Sequence, residues 1–175
     1  METTTMAMET VQTMAVATGS DMGLALAIAG AAASMIFGGM GSAMGMSYAG
    51  QAGAGVVADK PEVFGKVLLL EALPGSQGIY GFLGAFWIML AVGLLGDVKD
   101  VSIAQGLALF FAALPVAFTG LTSGMFQGKV SAAAMNIIAK DESQGGKGVI
   151  LSAMVETYAI LGLLITILLI GGIKL

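Results

Sequence analysis

The chain is built from long apolar runs separated by short polar breaks. Nothing is charged between Asp21 and Asp59, between Glu71 and Asp97, or between Asp100 and Lys129. A last run from Gly148 to Ile173 holds a single acid, Glu156. A helix crossing a ~30 Å hydrocarbon core needs about 20 apolar residues, so each run accommodates one crossing. The predicted helices run from about Asp21 to Ala58, Pro61 to Gly96, Val101 to Lys140, and Gly146 to the C-terminus. At ~1.5 Å per residue the first and third are longer than a bilayer is thick. Either they project into water or the hairpin tips, "ADKPEVFGK" and "AKDESQGGK", stand proud of the membrane.

The two halves repeat. An offset of 81 aligns residues 22–83 with 103–164 without a gap, pairing "FGGMGSAM" with "FTGLTSGM", "GKVLLLEA" with "GKGVILSA" and "IYGFL" with "ILGLL". Phe37/Phe118, Ser42/Ser123, Lys66/Lys147 and Gly81/Gly162 are among the identities. Such a repeat fixes the architecture: an all-α membrane protein of four transmembrane helices, arranged as two tandem duplicated hairpins. Residues 21–96 form the first hairpin and 97–175 the second. Residues 1–20, without the positive n-region of a secretory signal, read as a polar N-terminal tail or a frayed helix extension.

Composition supports the membrane reading. Only 10% of residues are charged and 57% are hydrophobic, against about 25% charged in soluble domains. There is no cysteine, histidine or arginine. That excludes disulfides, thiolate or imidazole metal sites, and Cys- or His-based catalysis. The net charge of −4 says little about partners, and nothing marks a nucleic acid as one. The 13 methionines are better suited to filling apolar gaps than to binding a soft metal. The tips hold Lys60, Lys66, Lys140 and Lys147, against Lys99 and Lys174 on the other side. The positive-inside rule therefore places the tips in the cytoplasm and both termini outside.

The first helix carries small residues at four-residue spacing, Gly41, Gly45, Ala49 and Gly53, beside a second row of Gly38, Ser42, Gly50 and Ala54. Such rows permit close backbone approach, either within one chain or between copies.

Glu156 lies roughly 15 Å into its helix, where an ionisable group costs ~2.5–3.5 kcal/mol on insertion scales and marks a functional position. The bland alternative is a neutral glutamic acid hydrogen-bonded between helices. "LPGSQGIY" on the second helix supplies Ser76, Gln77 and Tyr80 next to Pro74, which strains its turn. The third helix supplies Gln127. One carboxylate, two amides, a hydroxyl and a backbone carbonyl make an oxygen cage of the kind hard cations prefer. With one negative charge, Na⁺ or a proton neutralises it. Gly75 is the repeat partner of Glu156, so one carboxylate serves two hairpins. Glu71, one turn nearer the tips, is a candidate interfacial carboxylate that could pair with Lys66. Lys129 reaches toward the interface or a partner carboxylate.

With "LPGSQGIYG", "AFTGLTSGMFQGKVSAAAMNIIAK" and "GVILSAMVETYAILGLL" in place, residues 22–173 resemble the proteolipid subunits of V-type ATPases, the Na⁺-transporting bacterial ones in particular. The resemblance implies a homo-oligomeric rotor ring, with the first and third helices lining its inner wall and the others its outer wall. It implies a Na⁺ site of Glu156, Gln127, Gln77, Ser76 (where the family has threonine) and the Leu73 carbonyl, with Tyr80 hydrogen-bonded to the glutamate. Pro74, having no N–H, would leave that carbonyl available. A stator membrane subunit with half-channels and a central-stalk subunit at the tips follow as partners, with ATP hydrolysis in other subunits. The alternatives are a proton-carrying ring of the same build, an autonomous small transporter or channel, and a structural scaffold. The last has no use for Glu156, Gln127 and Gln77.

Overall fold

The computed structural model describes residues 2–175, with side chains described except at 2–4, 7, 15–18 and 20. Five helices carry the fold: α1 (Glu2–Asp59), α2 (Phe64–Ala72), α3 (Ser76–Ala91), α4 (Ile103–Lys140) and α5 (Gly145–Gly172). No strand occurs among the described residues. α2 and α3 pack on α1, α5 packs on α4, and α1 and α4 pack on each other along their length. The two hairpins thus lie side by side, as the repeat predicts.

At two places the structure adds detail to the expected elements. The segment expected as a polar tail or frayed extension continues α1 from Glu2. Its polar side chains are compatible with a helix, since Thr10 and Thr13 bond the carbonyls of Met6 and Glu9 one turn back, at 2.8 Å each. The second helix is not one rod. A 3₁₀ turn at Leu73–Gly75 separates α2 from α3, because Pro74 cannot supply the N–H that an α-helix needs there. Three helical stretches, Asp21–Asp59, Ile103–Lys140 and Glu142–Gly172, are long and apolar enough to cross a membrane. The fourth leg is a broken one.

Helix ends follow local chemistry. α3 stops at Ala91, five residues short of the predicted Gly96. Gly93 adopts φ +74° and donates to Leu90 O, while Leu94 donates to Met89 O. This is a Schellman closure built on a left-handed glycine. α4 starts on a capping box: Ser102 Oγ accepts from the Gln105 N–H, and Gln105 Oε1 accepts from the Ser102 N–H at 2.9 Å. Inside α4, Thr166 of α5 accepts the N–H of Val116, the residue after Pro115, at 3.2 Å.

The glycine rows are filled within the chain. Gly41 and Gly45 lie directly against the backbone of α4 at Gly120 and Gly124. A Cβ on Gly38 would come within 2.8 Å of Gln77 O on α3, and one on Gly53 within 2.5 Å of Val67 on α2. The repeat is visible in space as well. Phe37 stacks on its counterpart Phe118 at 5.7 Å between ring centres. Lys129 sits 5.7 Å from the ring of its counterpart Tyr48 and 5.3 Å from that of Phe126. It makes a cation–π contact rather than pairing with a carboxylate.

One buried apolar cluster includes Ala27, Ile88, Val101 and Ile170, near the 92–102 loop. A second includes Val63, Leu70, Met135 and Ile138, near the tips. The tips are tied together: Lys60 Nζ donates to Ala139 O at the end of α4 (2.6 Å), and Lys66 pairs with Glu142 at 3.2 Å. On the second leg the buried polar side chain Gln77, and on the third Ser123 and Gln127, fall between the two clusters.

Candidate ion-binding site

The break in the second leg orients the site. The Leu73–Gly75 turn is closed by the Ser76 N–H donating to Leu73 O, and the Ser76 hydroxyl reaches the same carbonyl at 3.1 Å. The Leu73 oxygen therefore already accepts from Ser76. The N–H missing at Pro74 would in an α-helix have bonded Leu70, so the proline bends the leg rather than freeing the Leu73 carbonyl. From the end of this turn, α3 runs with Gln77 and Tyr80 three residues apart on one face.

That face meets α4 and α5. Tyr80 Oη donates to Glu156 Oε1 at 2.6 Å. Gln127 Nε2 donates to Glu156 Oε2 at 3.4 Å. Gln77 Nε2 donates to Gln127 Oε1 at 2.5 Å and to Ser123 Oγ at 3.2 Å. The Ser123 hydroxyl donates in turn to Val155 O, at 3.0 Å. Ser76 Oγ approaches Gln77 Oε1 at 3.3 Å. Leu73, Ser76, Gln77, Tyr80, Gln127 and Glu156 thus form one connected network across three helices.

Ser123 is the member that sequence reasoning missed. It stands four residues before Gln127, on the same helix face, and is a repeat identity with Ser42; that was the available signal. Ser42 holds a parallel place in the first hairpin, accepting the Gly78 N–H at 2.7 Å.

Gln77, Gln127 and Ser123 are buried, the two glutamines completely, while Glu156 is partly buried. Among the described residues, no buried side-chain nitrogen or oxygen lacks a hydrogen-bond partner. This matters where water is scarce, because an unpaired polar group costs several kcal/mol in hydrocarbon. The two amides matter chemically, since each carries a donor NH₂ and an acceptor oxygen on one rotatable group.

Glu71 stays outside this network. A Cβ on Gly50 of α1 would come within 2.7 Å of its Oε1, and Lys66, its expected partner, pairs with Glu142 instead. The repeat explains the place. The counterparts of Gly50 and Glu71 are Ser131 and Ser152, whose hydroxyls bond each other at 2.7 Å. A glycine and a glutamate occupy in the first hairpin the volume that two serines share in the second.

Apolar legs in duplicated hairpins, three of them long and apolar enough to cross a membrane, define a membrane protein whose hairpins meet at a hydrogen-bonded carboxylate. Comparison with known proteins is specific. The profile of the ATP synthase C-subunit family matches residues 22–88 and 110–169. The V-type sodium ATPase subunit K of Enterococcus hirae is 48% identical over 148 residues, 85% of this chain and 92% of that protein. The A-type ATP synthase subunit K of Methanocaldococcus jannaschii is 40% identical over 150 residues, 86% of this chain and 64% of that protein. The 16 kDa proteolipid of the V-type proton ATPase of Nephrops norvegicus is 26% identical over 142 residues, 81% of this chain and 87% of that protein. The chain belongs to the ATP synthase C-subunit family, as a non-catalytic proteolipid of the V-type and A-type ATPases.

Proposed function

We propose that this chain is the rotor-ring subunit of a V-type rotary ATPase and carries Na⁺ across the membrane on Glu156. The supporting observation is the pair of glutamines, Gln127 and Gln77, stacked behind a carboxylate that Tyr80 already holds. A proton needs one acceptor oxygen, and Tyr80 alone would orient a protonated glutamic acid. Two buried amides in series add oxygens that only a larger cation uses. Rotating the Gln127 amide replaces its NH₂ with Oε1 beside the carboxylate, turning a donor into a cation ligand. Ser76 and the Leu73 carbonyl extend the oxygen set toward α2. The sodium named for the Enterococcus hirae relative points the same way.

Charge governs transport. A loaded Glu156 is neutral and can face lipid, whereas a bare carboxylate there costs several kcal/mol. The carboxylate therefore exchanges its ion only beside a stator subunit that offers half-channels to water, and a stator cation at the release point weakens binding. The lysine-bearing tips face the cytoplasm and meet the central stalk, and both termini face out. Other subunits hydrolyse or make ATP.

Carbodiimide labelling of Glu156 in the purified protein tests the ion. NaCl protects the carboxyl at moderately acidic pH if the cargo is Na⁺. Labelling that ignores NaCl and responds only to pH assigns the site to protons.

A further inference from the structure

Gln77 is completely buried, and its amide meets the side chains of Ser76, Ser123 and Gln127. Which end of that amide faces the site decides whether it can hold a cation, since its oxygen is a ligand and its NH₂ is not. The Ser123 hydroxyl fixes the choice. Val155 O is a carbonyl with no hydrogen to give, so their 3.0 Å contact uses the single hydrogen of Ser123. Ser123 Oγ therefore turns only lone pairs toward Gln77, and the NH₂ comes to meet it at 3.2 Å. This polarity is not automatic at the position. The repeat counterpart Ser42 is an acceptor for a backbone N–H, that of Gly78, at 2.7 Å.

With its NH₂ held by Ser123, Gln77 points Oε1 at Ser76 Oγ, 3.3 Å away, and Ser76 Oγ lies 3.1 Å from Leu73 O. Those three oxygens share one hydroxyl hydrogen and the Ser76 N–H. A cluster so rich in acceptors suits a hard cation. We propose that Ser123 is a positioning residue for ion binding: it holds the Gln77 amide with its oxygen toward Ser76 and Leu73, and so favours Na⁺ over a proton at Glu156. Its hydrogen bonds go to Gln77 and Val155 rather than to Glu156, so it acts through Gln77. The role rests on the sodium reading above.

The hydroxyl matters most once the ion is bound. As the side chains stand, the Gln77 NH₂ has two acceptors, Ser123 Oγ and Gln127 Oε1. Turning Gln127 Oε1 toward a cation withdraws the second acceptor and brings the Gln127 NH₂ against Gln77. Without Ser123, the Gln77 amide would then turn over and offer its own oxygen to that NH₂, removing it from Ser76 and Leu73. Ser123 opposes the turn because it is the acceptor that the Gln77 NH₂ keeps. A proton on Glu156 leaves both amides as they stand, and its binding does not draw on Ser123.

Carbodiimide labelling of Glu156 in the purified protein, run against NaCl and separately against pH, tests this. Ser123→Ala raises the NaCl concentration that half-protects Glu156 roughly three- to tenfold, the range of one neutral hydrogen bond. Labelling without NaCl keeps the pH profile of the parent chain. Ser123→Thr, which retains the hydroxyl, retains the NaCl midpoint. In a Gln77→Ala background Ser123→Ala adds nothing, because it acts through that amide. Should Ser123→Ala fail to fold, Ser123→Cys, close in size with a weak donor and acceptor, reads the same shift. An unchanged NaCl midpoint, a pH profile shifted as far as the NaCl midpoint, a threonine variant as impaired as alanine, or a further loss in the Gln77→Ala background each overturns the role and leaves the sodium reading standing. Labelling of the parent chain that ignores NaCl overturns the sodium reading, and the role with it.

Discussion

The Tyr80 hydroxyl on α3 donates to Oε1 of Glu156 on α5 at 2.6 Å, joining the two hairpins at the one carboxylate they share. A hydrogen bond to a charged acceptor contributes about 1.5–3 kcal/mol. Tyr80→Phe therefore weakens retention of the loaded carboxylate by roughly tenfold or more. The NaCl concentration that half-protects Glu156 from carbodiimide rises accordingly. An unchanged midpoint would show that the phenol is a bystander. Glu156→Gln abolishes ²²Na⁺ binding, and retained binding would move the site elsewhere.

Gln77 and Gln127 act as one unit, since the first donates to the second and the second donates to Glu156. Gln77→Ala and Gln127→Ala each lower ²²Na⁺ affinity, and the double variant loses less than the sum. The coupling lies in the ~0.5–3 kcal/mol range found for contacting residues. Strict additivity would mean that the amides serve separate purposes.

Glu71 lies against Gly50 of α1, outside the network around Glu156. Glu71→Gln leaves ²²Na⁺ affinity unchanged. Gly50→Ser/Glu71→Ser rebuilds in the first hairpin the hydroxyl pair that Ser131 and Ser152 make in the second, and its thermal melt in detergent matches the parent. A fall in ion affinity in either variant would bring Glu71 into the site.

Glycines on one helix have opposite roles. Gly45 lies against Gly124 O, and a Cβ there would come within 2.7 Å of the Pro74 ring. Neither neighbour can yield, so Gly45→Ala destabilises by the ~1–3 kcal/mol of an overpacked core or more. Gly55 has nothing within 4 Å of an added Cβ, and Gly55→Ala stabilises α1 by up to about 1 kcal/mol. Detergent melts separate the two, and equal shifts would contradict the packing.

The legs, the tips and the duplication were legible because charge is so rare in this chain that its positions mark where helices leave the apolar medium. The break at Leu73–Gly75 was half legible. Pro74 signals a disturbed turn, but the closure of that turn onto Leu73 O by Ser76 depends on backbone geometry. The continuation of α1 into the N-terminal segment left no signal in the apolar pattern, because the apolar side chains described there, Met6, Met8, Val11 and Met14, are exposed rather than packed, and Thr10 and Thr13 bond carbonyls of their own helix. Gln77, Tyr80, Gln127 and Glu156 were recognisable as polar groups in apolar runs. Ser123 was not, because a hydroxyl is common in such helices and its partner Gln77 lies 46 residues away. The glycine rows were ambiguous for the same reason: a row of small residues shows that something comes close without showing what. The assignment of Lys66 to Glu142 over Glu71 likewise depends on how the two tips are placed.

Lys60 and Lys66 each cross from the first tip to the second, one onto the end of α4 and one onto Glu142. Mechanically this makes the tip end a braced truss: a sideways push on either loop is shared by both hairpins and travels down four legs at once. One brace is an exposed ion pair worth at most ~1 kcal/mol and weakened by salt; the other is a lysine on a helix-end carbonyl. The truss is therefore stiff against small loads and gives first at Lys66–Glu142, the weaker of its two parallel ties.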